Sequence, residues 1–266
     1  MKKKSSLWVL SPLFFIFISC TTESQIEKQF AYAQELVIKK KYKEAIDAYS
    51  KIAKLRKFKD LSEKSMMNMA SVHYFYLKDN ENAFHILDGL VQRSSDITRI
   101  IKALRMKAYI YHYSIKDFEK ALMEYQKVLD FDLTHREKSE VLFEIAECYF
   151  LLNQYDQARV EFLKSSELTQ DILLKERISY EVATSYFLES QYEKAEATYK
   201  DHQRLFSKGK YDLQVSLNLA KSLESQEKLK EAILIYKEIL KDNPKQQIAV
   251  LKLKKVEERY KIKGLK

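Results

Sequence analysis

The side chains in this sequence that are best suited to metal binding or catalysis are its histidines and cysteines. Histidine nitrogens and cysteine sulfurs bind metals, and both residue types act in acid–base or nucleophilic catalysis. The two cysteines are Cys20 and Cys148, and the five histidines are His73, His85, His112, His135 and His202. They are dispersed, and none forms HExxH, CxxC or another recognised ligand spacing. We therefore expect no metal site and no cofactor.

Paired carboxylates could also carry acid–base chemistry. Glu144 and Glu147 lie three residues apart, a spacing that would place both on one face of a helix. The chain has 38 acidic residues, however, so such pairs arise by chance and form ion pairs with lysines. The sequence also has no glycine-rich phosphate loop and no GxSxG nucleophile motif. It therefore predicts a protein that is not an enzyme.

A periodic pattern of alanines indicates which elements hold these residues. The segments YKEAIDAY (42–49) and YEKAEATY (192–199) share the pattern YxxAxxxY. Related alanines recur at intervals of 38, 38, 37, 37 and 37 residues, namely Ala45, Ala83, Ala121, Ala158, Ala195 and Ala232. In the pattern YxxAxxxY the bulky residues lie three positions before and four positions after the alanine, and these spacings place all three on one helix face. A small residue between bulky ones lets a neighbouring helix approach closely. Each alanine thus predicts one tightly packed helix.

A second series of small residues predicts another helix in every repeat. It precedes the first series by 12 positions, except that Ala108 is displaced by one in the third repeat. The other members are Ala33, Ser71, Ala146, Ala183 and Ala220. Three glycines and two prolines are too few for the turns of a sheet protein. We therefore predict six helix pairs in an all-α chain.

This arrangement resembles the tetratricopeptide repeat, whose unit is a helix pair with small residues at these positions. The resemblance covers residues 26–243, although that family repeats every ~34 residues. We expect the additional residues between the second helix of one repeat and the first helix of the next. The resemblance implies an α-solenoid of six repeats, with no second domain and a capping helix at 244–266.

The N-terminus, MKKKSSLWVLSPLFFIFISC, has the features of an export signal. Three lysines precede a largely apolar run from Leu7 to Ile18, which is too short for a typical membrane span. The ending FISC resembles the lipobox of bacterial lipoproteins, which implies that Cys20 is lipidated and becomes the first mature residue. Phe17 stands where the lipobox usually has Leu, so a conventional signal peptide or an uncleaved anchor remains an alternative.

The predicted processing defines where the protein resides. We expect a signal peptide at 1–19, a short tether at 20–25 and an exported protein anchored by lipid. Thr21, rather than Asp, follows the cysteine and favours the outer membrane, facing the periplasm. The remaining cysteine, Cys148, has no second thiol to pair with. It lies inside the helical run EIAECYF, and we expect it to be a buried thiol of the core.

The positive charge of the chain is concentrated at its ends. The net charge is +9, yet residues 20–243 carry equal numbers of acidic and basic side chains. Nucleic acid is therefore not an expected partner. The tail, 244–266, combines apolar residues with basic ones, including Lys252, Lys254, Lys255, Arg259, Lys261 and Lys263. We expect it to cap the solenoid, and a contact with anionic lipid is a further hypothesis.

The resemblance also implies a groove lined by the first helix of each repeat, where a partner segment would bind. The aromatic residues Phe75, Phe150 and Phe187 recur at one offset, as packing shared between repeats would require. Residues that break this pattern are better binding candidates. The predicted groove residues are Asn68, Tyr76, Arg105, Tyr109, His112, Tyr113, Glu147 and Tyr180.

A lipid anchor joined to such repeats is a plan shared by two families that this sequence resembles. They are the lipoprotein of the outer-membrane β-barrel assembly machinery and the pilotin lipoproteins that escort secretins, and six repeats favour the second. The sequence predicts a membrane-anchored scaffold that binds another envelope protein. The alternative is a regulatory or peptidoglycan-associated module that binds a cell-wall enzyme.

Overall fold

The computed structural model describes residues 22–264, which form thirteen α-helices, two π-helical turns and no strand. The helices are α1 (Glu23–Ile38), α2 (Tyr42–Ala53), α3 (Lys59–Val72), α4 (Asn80–Arg93), α5 (Ile97–Tyr109), α6 (Phe118–Leu129), α7 (His135–Leu151), α8 (Tyr155–Leu168), α9 (Ile172–Leu188), α10 (Tyr192–Leu205), α11 (Asp212–Ser225), α12 (Leu229–Asp242) and α13 (Gln247–Ile262). The π turns, His73–Leu77 and Ile110–Ile115, continue α3 and α5. The predicted all-α class, six helix pairs and a terminal helix, is confirmed.

The chain forms two compact units, with a boundary between Ile86 and Leu87 inside α4. In the first unit, α2 packs against both α1 and α3. In the second unit, each helix from α5 to α13 packs against the next. We call the first helix of each pair the A helix (α1, α3, α5, α7, α9, α11) and the second the B helix (α2, α4, α6, α8, α10, α12). The array boundaries, 26 and 243, remain a prediction.

Fully buried alanines mark each helix pair. The B-helix series is buried as expected, because Ala45, Ala83, Ala121, Ala158, Ala195 and Ala232 have no exposed surface. The A-helix series has equally buried members: Ala33, Ala70, Ala108, Ala146, Ala183 and Ala220. Large side chains fill the space around them, including the fully buried Tyr49, Phe162, Tyr199 and Tyr236. Burial of these rings contributes about 2 kcal/mol each to stability.

The second repeat corrects the predicted series at one position. Ser71 was expected to pack at the helix crossing, but it is only half-buried and its hydroxyl donates to the Met67 carbonyl at 3.0 Å. Ala70 occupies the crossing instead. With Ala70 in place, every B-helix alanine precedes the next A-helix alanine by 25 residues. The two 38-residue intervals arise because a π turn adds one residue within the A helices of the second and third repeats.

The turns between A and B helices share one geometry. Each contains a residue in the left-handed region, with φ between 57° and 62°, and none of these residues is glycine. They are Lys40, Lys78, Lys116, Asn153, Ser190 and Glu227. The next backbone N–H then donates to a carbonyl of the A helix, as Gln154 does to Tyr149 at 2.9 Å. This Schellman-type closure ends the A helix and reverses the chain.

The predicted leader lies outside the described residues. The signal peptide at 1–19 and the lipidation site Cys20 therefore stay predictions. Among residues 22–264, no helix is both long and apolar enough to cross a bilayer. Cys148 lies in α7 as a free, fully buried thiol, as the sequence predicted.

Candidate interaction face

The A helices of the second unit hold most of the predicted groove residues, and side-chain caps fix where these helices begin. Asp96 accepts hydrogen bonds from the first turn of α5, and Asp171 does so for α9. Thr134 and Glu137 form a reciprocal capping box at α7. Such caps stabilise a helix end by about 1 kcal/mol and set the register of the residues that follow.

A polar cluster joins three consecutive A helices, and we call it the central cluster: His112, Tyr113, Glu144, Glu147 and Arg177. The Tyr113 hydroxyl lies 2.8 Å from Glu144 Oε2 and 3.1 Å from Glu147 Oε2. His112 Nδ1 lies 3.4 Å from the same oxygen of Glu144. Arg177 Nη2 forms an ion pair with Glu147 Oε1. The cluster thereby ties α5 and its π turn to α7, and α7 to α9.

Further contacts extend this network along the same face. Arg105 Nη2 pairs with Glu140 Oε2 at 3.0 Å, one turn before the central cluster. The Arg177 guanidinium also lies 4.5 Å from the centre of the buried Phe143 ring, as in cation–π pairs. At α11, the Tyr180 ring stacks on Tyr211 with 4.8 Å between centroids. Polar residues of this face thus hold neighbouring repeats together.

The carboxyl groups near the cluster titrate differently because their surroundings differ. Burial alone would raise the pKa of Glu144, but hydrogen bonds from His112 and Tyr113 outweigh it and lower the pKa. Burial and the charge of Glu144 raise the pKa of Glu147, although Arg177 opposes the shift. Burial, helped by Glu147, raises the pKa of Glu181 to about 7. At neutral pH, Glu144 is therefore firmly ionised and Glu181 is partly protonated.

Two tyrosines give this face an exposed aromatic surface. The rings of Tyr109 and Tyr113 lie 4.6 Å apart, and the residues are 41% and 42% exposed. Burial raises the pKa of Tyr113, and the neighbouring carboxylates raise it further, so its hydroxyl stays protonated at neutral pH. The exposed rings of this pair can offer apolar contact area to a partner.

The two candidates in the first unit have partners within that unit. Asn68 Nδ2 donates to the Tyr49 hydroxyl at 3.2 Å, and this contact ties α3 to α2. Tyr76 is half-exposed, and its ring stacks on Tyr42 with 4.6 Å between centroids. Tyr76 therefore stays available at the surface, whereas Asn68 mainly satisfies a buried tyrosine.

The structure corrects the interpretation of two candidates. His112 was predicted to line the groove, yet only 3% of it is exposed, because the π turn carries its ring beneath Tyr113 and against Cys148. Tyr113 was taken to break the aromatic pattern. Counted from the left-handed turn residue, however, it falls in register with Phe75, Phe150 and Phe187. The extra residue of the π turn concealed this match.

Four further residues belong to this face but were not among the predicted groove residues: Glu140, Glu144, Arg177 and Glu181. Glu140, Glu144 and Glu147 follow one another at helical spacing on α7. Arg177 and Glu181 lie 37 residues after Glu140 and Glu144, at the same positions of the next repeat. A comparison of charges at equivalent repeat positions could have found them.

The structure also separates two sets of basic residues in the tail. Lys252 and Arg259 lie 3.7 and 3.5 Å from Glu224, and Lys263 lies 2.9 Å from Glu227. These three residues attach α13 to the last helix pair. The other predicted tail residues, Lys254, Lys255 and Lys261, are exposed.

The outward face of α13 is both basic and apolar. Leu251 and Ile262 lie beside these lysines and are 70% and 84% exposed. Lys254 and Lys255 fall between them at helical spacing. One side of α13 therefore caps the last repeat, and the other presents an amphipathic surface.

Comparison with known proteins agrees with this architecture. A family model for the tetratricopeptide repeat matches residues 140–164, which include Glu140, Glu144 and Glu147 of α7 and most of α8. No curated protein matches the chain. The resemblance noted in the sequence is thus confirmed for one repeat by its sequence and for the chain by its fold.

Similar solved structures come from several bacteria. The C-terminal part of a tetratricopeptide repeat protein from Cytophaga hutchinsonii has a TM-score of 0.58 and 18% identity, over 83% of this chain and 98% of that one. A tetratricopeptide repeat protein from Parabacteroides merdae has a TM-score of 0.58 and 17% identity, over 88% and 92%. The pilF protein of Pseudomonas aeruginosa has a TM-score of 0.53 and 16% identity, over 88% and 97%.

These likenesses define the class of protein. The chain has the tetratricopeptide-repeat fold, which is typically a non-enzymatic module for binding other proteins. No catalytic family is indicated. Identities below one fifth specify no individual relative.

Proposed function

We propose that this protein is a lipid-anchored scaffold of the bacterial cell envelope that binds a segment of another envelope protein on its A-helix face. The exposed Tyr109–Tyr113 pair supports this proposal most directly. Tyrosine supplies large contact area at a low cost in side-chain entropy, and exposed tyrosines commonly dominate protein interfaces. The repeat fold supplies a frame of packed helices that holds both rings.

The polar network supports the same role because it fixes Tyr113 before a partner binds. The Tyr113 hydroxyl lies within hydrogen-bond distance of two carboxylates, and one of these is itself held by Arg177. A ring that is already ordered loses less side-chain entropy on binding, about 0.5–1.5 kcal/mol for each side chain. We therefore place the centre of the interface at α5, its π turn and α7.

The envelope location rests on the N-terminal sequence. Lipidation at Cys20 would tether the repeats to a membrane leaflet, and the tether would leave the A-helix face free to bind. Assistance to outer-membrane or secretin and pilus assembly fits a scaffold in this place. Similarity of fold to pilF of Pseudomonas aeruginosa is consistent with such a bacterial role.

The exposed side of α13 adds a second proposed contact, with anionic phospholipid. Lysines near an anionic surface contribute about 1 kcal/mol each, and apolar neighbours can enter the head-group region. The double variant Lys254→Glu/Lys255→Glu should lose binding to vesicles that contain anionic lipid. The matched variant Lys230→Glu/Lys241→Glu, at exposed lysines of α12, should keep it. Equal loss in both variants would show only a general charge effect.

Site-specific crosslinking in cells tests the scaffold proposal. A photoreactive residue at Tyr109 should capture one envelope protein, and the Tyr113→Ala variant should abolish that capture. The control probe replaces Leu163, which is exposed on the B helix α8. A barrel protein or a secretin captured only from Tyr109 supports an assembly role, whereas a cell-wall hydrolase or synthase supports the regulatory alternative. Identical capture from both probes would contradict a partner site on the A-helix face.

A further inference from the structure

Three potential metal ligands converge within the central cluster. His112 Nδ1 and carboxylate oxygens of Glu144 and Glu147 all lie within 4.8 Å of one another. No metal site was expected from the sequence, because these residues show no recognised ligand spacing. The ligands come from a π turn and from the A helix of the next repeat, and only the fold brings them together.

From this convergence we propose that His112, Glu144 and Glu147 bind one divalent transition-metal ion, with Zn²⁺ as the best fit. An imidazole nitrogen and two carboxylate oxygens are a donor set that Zn²⁺ accepts with an open fourth position. Ligand bonds of ~2.0–2.2 Å around a tetrahedral ion separate the donor atoms by ~3.3–3.6 Å. The 3.4 Å between His112 Nδ1 and Glu144 Oε2 matches this spacing.

The charges around these atoms favour a cation. Glu144 and Glu147 carry two carboxylates, whereas Arg177 supplies one positive charge, which pairs with Glu147 Oε1. The second oxygen of Glu147 and Oε2 of Glu144 both face the Tyr113 hydroxyl, whose single proton can donate to only one of them at a time. A metal ion would replace this hydroxyl between the two oxygens, while Arg177 keeps its contact.

The site can exchange ions with solvent, and its histidine is specific to this repeat. The side chains of Glu144 and Glu147 are 26% and 14% exposed, so an ion can reach them. In the second, fourth and fifth repeats, the position of His112 is occupied by Tyr74, Tyr149 and Tyr186. A histidine replaces tyrosine only in the repeat where two glutamates of the next A helix lie beside it.

Calorimetric titration of the full chain in detergent with Zn²⁺ tests the proposal. We expect saturable binding of one ion, weakened at least tenfold by Glu144→Gln and by Glu147→Gln. The matched control is Glu140→Gln, on the same helix but paired with Arg105, and it should bind Zn²⁺ as the wild type does. Absence of saturable binding, or unchanged binding in both glutamine variants, would overturn the proposal.

Two further measurements keep the test informative if a glutamine variant loses structure. Co²⁺ added to the wild type should give the intense visible bands of a four-coordinate site, and weak octahedral bands would overturn the proposed geometry. Tyr113→Phe removes only the hydroxyl that lies between the two carboxylates, and it should bind Zn²⁺ at least as tightly as the wild type. Loss of binding in this variant would contradict the proposed replacement of the hydroxyl by the metal.

Discussion

The two π turns are the same insertion with different consequences. In the first, His73 Nδ1 lies 3.0 Å from Asp79 Oδ2, so its polar contact stays within the adjoining turn. In the second, the buried His112 contacts Glu144 and Cys148, more than 30 residues along the chain. An added residue rotates the following side chains by about 100°. Whether that rotation makes a local contact or a link between repeats depends on the neighbouring helix.

Overpacking can test which small residue of the A helix before each π turn is buried at the helix crossing. Ala70→Leu and Ala108→Leu each place a large side chain at a fully buried crossing, which should reduce the free energy of unfolding by about 1–3 kcal/mol. Ser71→Leu, at a half-buried position, should cost less than about 1 kcal/mol. Urea unfolding measures all three. A larger loss of unfolding free energy for Ser71→Leu than for Ala70→Leu would indicate that Ser71 lies at the crossing, as predicted from the sequence.

Removal of the histidines should separate a local contact from a link between repeats. His112→Ala leaves a cavity and removes a partner of Glu144, so we expect a loss of about 2–3 kcal/mol. His73→Ala breaks one contact in its own turn and should cost about 1 kcal/mol. Thermal unfolding of the two variants, followed by circular dichroism, compares them directly. Equal losses would mean that His112 is no more than a local contact.

The central cluster and the first π turn should make stability depend on pH in opposite directions. Burial raises the pKa of Glu181, beside the central cluster, from its usual 4.5 to about 7. Between these two values the folded chain keeps a proton that the unfolded chain has lost. The free energy of unfolding therefore declines as pH rises from 4.5 through 7, by about 2 kcal/mol. Glu181→Gln should remove that decline in urea unfolding measured at pH 5 and pH 8. A wild-type decline that persists in the variant would exclude Glu181 as its cause.

The first π turn carries the opposite dependence. A hydrogen bond from Asn82 lowers the pKa of Asp79 below its usual 3.8, and His73 adds to the effect. The stability that Asp79 contributes is therefore complete above that value and is lost as pH falls through the lowered pKa. Asp79→Asn should flatten the acid limb of the stability curve between pH 5 and pH 2. An unchanged acid limb would contradict this assignment.

The smallest expected effect is the same in both turns. Lys78 and Lys116 adopt left-handed backbone conformations that glycine reaches without steric cost. Lys78→Gly and Lys116→Gly should each stabilise the fold by up to ~1 kcal/mol, which raises the melting temperature by about 2–4 °C. Scanning calorimetry resolves a shift of this size. Stabilisation in one variant alone would show that the two turns are not equivalent.

The helix pairs could be predicted from sequence because buried alanines repeat with helical offsets. The register of the second repeat could not, since Ala70 and Ser71 are adjacent small residues and only the backbone decides which one is buried. The central cluster was hidden for a related reason. His112 and Glu144 are separated by 32 residues, and the π turn that brings them together has no recognised sequence signature.

The sequence predicted which residues lie on the candidate face, but not which side chains contact one another there. Arg105 and Tyr180 were selected as residues available to a partner, yet both are engaged by neighbouring helices at Glu140 and Tyr211. Single-sequence reasoning places such residues on a helix face. It does not reveal which opposing side chain reaches them, because that depends on how adjacent repeats pack.

The constant 25-residue interval between a B-helix alanine and the next A-helix alanine bears on how such a protein can evolve. A one-residue insertion in this chain is absorbed within an A helix and its turn, and the stacking positions that follow keep their spacing. The side chains of one exposed face can therefore be reoriented by a single codon while the adjoining repeats stay intact. Such a tolerance lets binding specificity diverge faster than architecture.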